Sequence, residues 1–548
     1  PALLIPIYPK KSRGSVSMDS TALNSQRRQF SVKLWPPSQN TRQMLLERMA
    51  HNLSTPSVFT RKYGSLCQES AMENAKQIED AAFANANQHY EKEPDGDGGS
   101  AVQLYAKECS KLILDVLKGC SGLAKQEEAS KGERAFIEAP KVTFFDISKG
   151  ERAFIEADEA RELLKPLKEP GNSYTKICFS NRSFSLDVAH VAEPILRSLK
   201  NQLKDLDLSG FIAGRSEDEA LEVIKVLSAA LEGCALRSLD LSHNALGEKG
   251  IRAFGQLLKS SQQSLEELYL LNDDISVDAA QALCELIPST VRLAVLHFHN
   301  NMTGDEGAQA ISRIVRRAPL LEDFQCSSAR VDSDGGVALS EALETCTHLK
   351  KLDLRDNMFG VAAGLALSKA LSKHTNLTEV YLSYLNLEDE GMSAIVSALT
   401  GSAPLLEVLD VAGNNITAKA APALAACIGS KPHLAKLYLA ENKLKDEGAI
   451  CISEALAGLA QVKEVDMSGN MLRRAGAQVL VQTLVNKPEF KLLSMDANFI
   501  SDEGVDEVKG IFNKSSGLLG PFDENDPEGE DDDDESVEGE GEGDTTGI

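Results

Sequence analysis

Few residues of this 548-residue chain combine the types and spacing that chemistry requires. His297 and His299 flank Phe298, so on a strand both imidazoles would leave the same face. Such a pair could bind a metal ion or transfer a proton, but no carboxylate stands at a set spacing from them, so surface polar residues are the favoured interpretation. The sequence has no HExxH, GxSxG or GxxxxGKS/T motif and no Cys/His cluster with zinc spacing. It therefore predicts no catalytic centre, metal or cofactor of its own.

The charge balance argues against a nucleic-acid partner. The chain has 57 Lys+Arg and 82 Asp+Glu, for a net charge of −25. Residues 521–548 hold 14 of the acids and no base, and the rest of the chain shows no basic stripe of the kind that nucleic-acid binding needs. No apolar run approaches the roughly 20 residues of a membrane span. The ten cysteines form no CxxC pair, which favours reduced thiols in the cytosol or nucleus.

The elements that must position any site come from an internal repeat. From Ile177 onward the pattern apolar–x–apolar–x–x, often followed by Asn, recurs twelve times at 28–33 residues, most clearly in LDLSHN (239–244) and LDVAGN (409–414). This period and pattern match the leucine-rich repeat. The alternation predicts a short strand, the Asn a turn bonded to the neighbouring coil, and the stretch that follows a helix.

Such coils predict an α/β leucine-rich-repeat solenoid, a horseshoe with a parallel sheet on the concave face and helices outside. The variable residues of each strand should line the concave face, and their mixture of acids and aromatics favours a protein partner. They are Asp207, Asp240, Tyr269, His297, His299, Gln325, Asp353, Arg355, Tyr381, Tyr438 and Asp466.

Composition shifts divide the rest of the chain. We predict a disordered leader (1–30), a small all-α domain (31–118), a linker (119–172), the repeats (173–515) and an acidic disordered tail (516–548). Residues 1–17 are interpreted as upstream sequence before a start at Met18, the alternative being a short basic leader. The nonapeptide KGERAFIEA occurs at 131–139 and again at 149–157, which we interpret as a recent duplication or gene-model error without function.

The chain carries three features in a fixed order. VKLWPPSQNTR (32–42) and RMAHNLSTPSVFTRKYG (48–64) look like the WPP domain, whose motif is here Trp35, Pro36 and Pro37. The repeats and then the acidic tail follow. In this combination the chain resembles the plant-type family of Ran GTPase-activating proteins. The resemblance implies an activator of GTP hydrolysis on Ran that acts in trans, without a cofactor, in nucleocytoplasmic transport and cell division. The runner-up is a leucine-rich-repeat scaffold or inhibitor that only binds its partner.

The resemblance also implies partners and places. Ran-GTP would bind the repeats, and coiled-coil anchor proteins of the nuclear envelope would bind the WPP domain. Membrane association would be peripheral and only through those partners. The expected locations are the cytoplasm, the outer nuclear envelope and, in division, the cell plate and spindle region. For Trp35, core packing and partner contact remain equal alternatives.

Three repeat residues match family site residues. The resemblance assigns Asn244 of LSHNALGEKG the catalytic role of holding Ran's own glutamine; His243 replaces the family's usual Asp. From the residues alone, Asn244 at the repeat's Asn position is structural. Arg215 is implied as a Ran contact, not an arginine finger, the alternative being a solvated loop arginine. Asp356 is implied as a Ran contact, the alternative being a turn residue.

Overall fold

The structure is a computed structural model that describes residues 36–37, 42, 45–46, 48–50, 53, 68–92, 99–123, 143–148, 152–512 and 516–526. The chain divides into two compact units, residues 1–137 and 138–548. None of the helices within the described residues is long and apolar enough to cross a membrane.

The first unit contains two long helices, α1 (Gln68–Lys92) and α2 (Gly99–Leu123). Their interface is built from small residues, since Ala75, Ala82 and Ala101 are fully buried. Glu79 is also buried, and it accepts hydrogen bonds from Arg42 at 2.6 and 2.7 Å and from the Tyr105 hydroxyl at 2.5 Å. Burial opposes the charge of Glu79, but these hydrogen bonds outweigh it and keep its pKa below the usual range. Helix α2 runs five residues past the predicted domain end at 118.

The second unit is built on one parallel sheet of thirteen short strands that follow one another in chain order, except that two two-residue strands pair separately. The sheet strands are β1 (Phe144–Asp146), β3 (Lys176–Cys178), β5 (Asp205–Asp207), β6 (Ser238–Asp240), β7 (Glu267–Tyr269), β8 (Val295–His299), β9 (Asp323–Ser327), β10 (Lys351–Asp353), β11 (Glu379–Tyr381), β12 (Val408–Asp410), β13 (Lys436–Tyr438), β14 (Glu464–Asp466) and β15 (Leu492–Ser494). The separate pair is β2 (Ala153–Phe154) and β4 (Arg182–Ser183).

Helices connect the successive strands of the sheet, as parallel pairing requires. They are α3 (Ala157–Leu163), α4 (Leu186–Leu199), α5 (Glu217–Ala230), α6 (Gly247–Ala253), α7 (Gly255–Ser261), α8 (Val277–Leu286), α9 (Gly304–Arg316), α10 (Ser333–Leu343), α11 (Gly360–Leu371), α12 (Glu388–Gly401), α13 (Ala421–Gly429), α14 (Lys445–Ala457), α15 (Arg474–Leu484) and α16 (Asp502–Ile511). The middle residue of a strand, such as Leu239, is buried against this layer while its two neighbours face the other side of the sheet. The predicted leucine-rich-repeat solenoid is confirmed.

A row of asparagines joins each coil to the one before it, and we call these positions the ladder. The Oδ1 atom of Asn357 accepts the backbone N–H groups of Ala329 and Val331 at 3.2 and 3.1 Å. Its Nδ2 atom donates to the carbonyls of Cys326 and Leu354, both at 2.9 Å. Buried backbone groups need such partners, so one amide satisfies the turn of two coils. The same position is held by Asn301, Asn414, Asn442, Asn470 and Asn498.

The prediction of a linker over 119–172 is wrong for residues 144–168. Strand β1 pairs with β3 in parallel, so the sheet begins one coil before the first recognised repeat. Phe145 and Ile147 are buried in the shared core, and a 3₁₀ turn follows α3 at Lys165–Lys168. The segment lacks the LxL pattern and the Asn because a terminal coil has a neighbour on one side only.

The prediction of a disordered tail from 516 is wrong for residues 516–526. A 3₁₀ turn at Ser516–Leu518 leads into a bridge between Leu519 and Leu493, and Gly520 donates to the carbonyl of Leu493 at 2.8 Å. Asn525 then accepts the Asn498 N–H at 3.1 Å, which continues the ladder beyond the last helix. The cause is a terminal coil whose edge needs cover. Residues 527–548 lie outside the described residues.

Candidate functional site

A cleft of about 750 Å³ lies where strands β5 and β6 turn into helices α5 and α6. Its lining includes Arg215, Asn244 and His243, so the fold brings two of the predicted site residues together. It also includes Asn272, Asp274 and Arg152. The 33-residue spacing between β5 and β6 supplies the additional loop that forms one wall.

The side chain of Asn244 is hydrogen-bonded to its own coil and to the coil before it. The residue is 6% exposed, and its Nδ2 atom donates to the carbonyls of Leu208 at 2.9 Å and Leu241 at 2.6 Å. Its Oδ1 atom accepts the N–H of Ile212 at 3.2 Å. Asn244 thus has the ladder geometry of Asn357, and its neighbours His243 and Ala245 are the exposed residues of the turn, both with positive φ.

Asp273 holds the next ladder position, and sequence reasoning missed it. It is fully buried, and its Oδ1 atom accepts the Asn244 N–H at 2.9 Å. Its Oδ2 atom is buried without a hydrogen-bond partner. An alignment of the twelve repeats could have found it, because this repeat has Asp at the position where six later repeats have Asn.

Arg215 is held by contacts from three directions. Its Nε and Nη2 atoms donate to the hydroxyl and the carbonyl of Ser183 at 3.1 and 2.9 Å. Its Nη1 atom lies 3.6 Å from Glu219, and its guanidinium stacks 4.8 Å from the ring centre of Phe154. The side chain is only 15% exposed, so the interpretation as a solvated loop arginine is wrong.

The second copy of the duplicated nonapeptide belongs to this wall of the cleft. In this copy, the ring of Phe154 stacks against the guanidinium of Arg215, and Arg152 lines the cleft. Ile155 is 1% exposed. The interpretation of the duplication as a segment without a role is therefore wrong for residues 152–157. The first copy lies outside the described residues.

Asp356 is exposed on the turn after β10, four strands further along the sheet, and it does not line the cleft. Its φ is 57°, and its N–H donates to the carbonyl of Ser383 at 3.0 Å. The carboxylate is therefore presented to solvent by a left-handed turn. Beside it, Met358 is 60% exposed.

The predicted concave-face residues do share one face of the sheet, and all except Asp353 are half-buried. His297 differs from expectation, because its Nε2 atom lies 3.0 Å from a carboxylate oxygen of Asp323 on the adjacent strand. Arg355 lies 2.8 Å from Asp353 on β10 and 3.7 Å from Asp410 on β12, so it reaches across the intervening strand β11. Within the described part of the chain, no group of three or more His, Cys, Asp and Glu could hold a metal ion.

The C-terminal half of this face forms a second cleft, of about 910 Å³, between β11 and the turns after β15. Three tyrosines line it, and their hydroxyls donate to neighbouring glutamates, as Tyr438 does to Glu464 at 2.7 Å. A hydrogen bond to Glu441 and burial raise the pKa of Tyr384 to about 12. Burial likewise raises the pKa of Asp410. The face is acidic and aromatic, and its polar groups are largely bonded to one another.

Of the WPP motif, Pro36 is exposed and Pro37 half-buried. Trp35 lies outside the described residues, so both alternatives for it stay open.

Comparison with known proteins identifies both units. A family model described as WPP domain matches residues 31–128, and one described as Leucine Rich repeat matches 234–255, 345–368, 373–396, 402–425 and 430–453. MFP1 attachment factor 1 of Solanum lycopersicum is 40% identical over 111 residues, which cover 20% of this chain and 69% of that protein.

Two relatives match nearly the whole chain. RAN GTPase-activating protein 2 of Arabidopsis thaliana is 62% identical over 514 residues, which cover 93% of both chains. RAN GTPase-activating protein 1 of the same plant is 60% identical over 514 residues, which cover 94% of both. Each match covers more than nine-tenths of both chains, and so the chain belongs to the family of Ran GTPase-activating proteins.

Proposed function

We propose that this chain stimulates GTP hydrolysis on Ran, in trans, and that the cleft with Arg215 and Asn244 is where Ran's active site is completed. The observation that carries the proposal is family membership over nearly the full length, together with the convergence of these two side chains on one cleft. The chemistry would take place in Ran, which brings the nucleotide and its magnesium ion. This chain would contribute order and position.

The proposed role of Asn244 is to hold Ran's catalytic glutamine so that the glutamine orients the attacking water. A primary amide suits this task, because it donates and accepts at once and so pairs with another amide. In the unbound chain both halves of the Asn244 amide are already bonded to backbone groups. Contact with Ran therefore requires the amide to exchange those bonds, and the exposed turn residues His243 and Ala245 mark the side on which Ran would approach.

The test is single-turnover GTP hydrolysis by Ran with catalytic amounts of the full chain. Asn244→Ala should lower the stimulated rate at least roughly tenfold, about 1.4 kcal/mol of barrier. Asn470→Ala is the matched control, because the Asn470 amide accepts the Leu444 N–H and donates to the carbonyls of Leu439 and Met467, the same ladder bonds far along the sheet.

Both variants should lose a similar free energy of unfolding, but only Asn244→Ala should lose activation. If the two variants activate Ran equally well, Asn244 is a ladder residue and nothing more. If the wild-type chain binds Ran without accelerating hydrolysis, it is the non-catalytic scaffold.

We further propose that the WPP unit anchors the protein at the nuclear envelope, while the rest of the population is cytoplasmic and, in division, reaches the cell plate and spindle region. The match of this unit to a protein named as an attachment factor supports anchoring by a protein partner. Replacing Trp35, Pro36 and Pro37 by Ala should release a fluorescent fusion from the envelope without changing activation of Ran in solution. Retention at the envelope would contradict the assignment.

A further inference from the structure

We propose that Asp273 is a positioning residue for activation: as a neutral carboxylic acid in the ladder, it holds the turn that carries Asn244 at the cleft. The inference deepens the proposed function and rests on it for its activity arm. It follows from one buried side chain whose two oxygens have different surroundings.

The Oδ1 atom of Asp273 does what the Oδ1 atom of a ladder asparagine does. It accepts the backbone N–H of Asn244 at 2.9 Å, as the Oδ1 atom of Asn301 accepts the N–H of Asp273 itself at 3.1 Å. The Asn244 turn is therefore tied to the next coil through this oxygen. Asn301 then ties the Asp273 turn to the coil after it, so the bonds continue without a break.

The Oδ2 atom stands where a ladder asparagine has its amide nitrogen, which is a donor. In the neighbouring coil the Nδ2 atom of Asn301 donates to the carbonyl of Leu270 at 2.7 Å. Because Asp273 holds the same repeat position as Asn301, we infer that backbone carbonyls also face its Oδ2 atom. Among the described residues no N–H or O–H group donates to this oxygen, although it is fully buried. A charged carboxylate would leave it unpaired, at a large cost in a buried site.

A proton on Oδ2 resolves this. The neutral acid accepts at Oδ1 and donates at Oδ2, which reproduces the pattern of an asparagine amide. The charged groups that face Asp273 act in the same direction, since the carboxyls of Asp240 and Asp274 repel a further negative charge. On the adjacent turn, His243 is exposed and bonded to Asn272. Burial first, then these carboxyls, raise the pKa of Asp273 well above its ordinary value, and they outweigh the opposing effect of the Asn244 and Ala245 backbone N–H groups.

The consequence concerns the catalytic turn. Asn244 is itself a ladder residue with His243 and Ala245 on either side, and Asp273 supplies the contact of this turn with the following coil. If it ionised, the turn would face a buried charge directly behind the Asn244 backbone.

The first test is hydrogen exchange, measured by mass spectrometry on the full chain without Ran. Wild type and Asp273→Asn are compared over residues 243–247, from about pH 5 to about pH 8, above the ordinary carboxyl pKa of about 3.9. Local opening lets Asp273 lose its proton in the wild type, because its folded pKa is raised above the unfolded one. Stability is therefore full below the unfolded pKa and falls as the pH rises toward the folded pKa. For residues 243–247, the ratio of the protection factor in Asp273→Asn to that in wild type should rise about tenfold per pH unit.

A matched variant tests the chemistry elsewhere. Asn470→Asp places an acid at a ladder position far from the cleft, next to the Leu444 N–H. Relative to wild type, protection of that turn should fall about tenfold per pH unit. If the ratio of protection factors between Asp273→Asn and wild type does not change with pH, Asp273 is charged in the folded chain, and the proposal is overturned.

The second test measures the rate of GTP hydrolysis by Ran at a saturating concentration of this chain. Asp273→Ala should lower it about tenfold, a change of 1.4 kcal/mol, whereas Asp273→Asn should keep it within about twofold because the amide restores both bonds. Asn470→Ala should keep it as well. A full rate in Asp273→Ala would overturn the positioning role. The exchange experiment needs no Ran, so it still decides the state of Asp273 if Asn244→Ala shows that the proposed function of that residue fails.

Discussion

Arg215 shows how tightly one side chain in the cleft is already committed. Its guanidinium is shared by Ser183, Glu219 and the Phe154 ring, so it is not free to extend into a partner's active site. We predict that Arg215→Ala raises the KM for Ran about tenfold and leaves kcat within about twofold. Arg215→Lys should behave similarly, because lysine keeps the charge but loses the fork and the stacking. Steady-state GTP hydrolysis measures both constants.

The opposite outcome is equally clear. An arginine finger contributes roughly 10³–10⁵ in rate, so a fall of that size in kcat with an unchanged KM would contradict the prediction. Phe154→Leu is the control, because it removes the stacked ring and leaves the Ser183 bonds in place.

At this scale the sequence predicted the ladder bonds of Asn244 but not the surroundings of Arg215. Ladder partners follow from the period, since every coil repeats them. Ser183 stands 32 residues before Arg215, directly after the first recognised repeat, and Phe154 stands 61 residues before it in a coil that shows no repeat pattern. No local signal connects either residue to Arg215. Asp273 could have been found from the alignment of repeats, but its protonation depends on burial, which a sequence pattern does not report.

Among the elements, the segment 516–526 closes the last coil. Its bridge to β15 and its Asn525 occupy the edge that another coil would otherwise cover. We predict that a chain ending at residue 515 exchanges amide hydrogens in β15 and α16 at least tenfold faster than one ending at residue 526, because the edge strand loses its partners. Hydrogen exchange by mass spectrometry gives the comparison.

The chain ending at residue 526 is the control for truncation itself, since its exchange in β15 and α16 should match that of the full-length protein. Equal protection in all three chains would mean that the segment does not stabilise the coil.

Twelve of the thirteen sheet strands were predicted from the repeat, each beginning one residue before the first apolar position. The thirteenth, β1, and the closing segment were missed because a terminal coil carries only half of the pattern.

For the molecule as a whole, charge is distributed unevenly. The residues after 526 carry 11 acids and no base. We predict that deleting 527–548 lowers the association rate with Ran about tenfold at low salt, because the tail attracts a basic partner over a distance. The difference should shrink as salt rises, since the screening length falls from about 30 Å at 0.01 M to about 8 Å at physiological salt. Stopped-flow binding measures the rate.

A second tail of equal length, with Ser and Asn in place of the acids, separates charge from bulk. It should behave like the deletion. If all three chains associate at one rate at every salt concentration, the tail serves solubility and not steering.

The parallel register of the sheet has a consequence for how the gene can change. Each strand pairs with the next in register, yet the coils differ in length, since 33 residues separate the starts of β5 and β6 and 29 separate those of β6 and β7. The second copy of the nonapeptide likewise falls between two paired strands, β1 and β3. Added length between strands therefore leaves the pairing of the sheet unchanged, so a coil can grow in its loop without displacing the coils that follow.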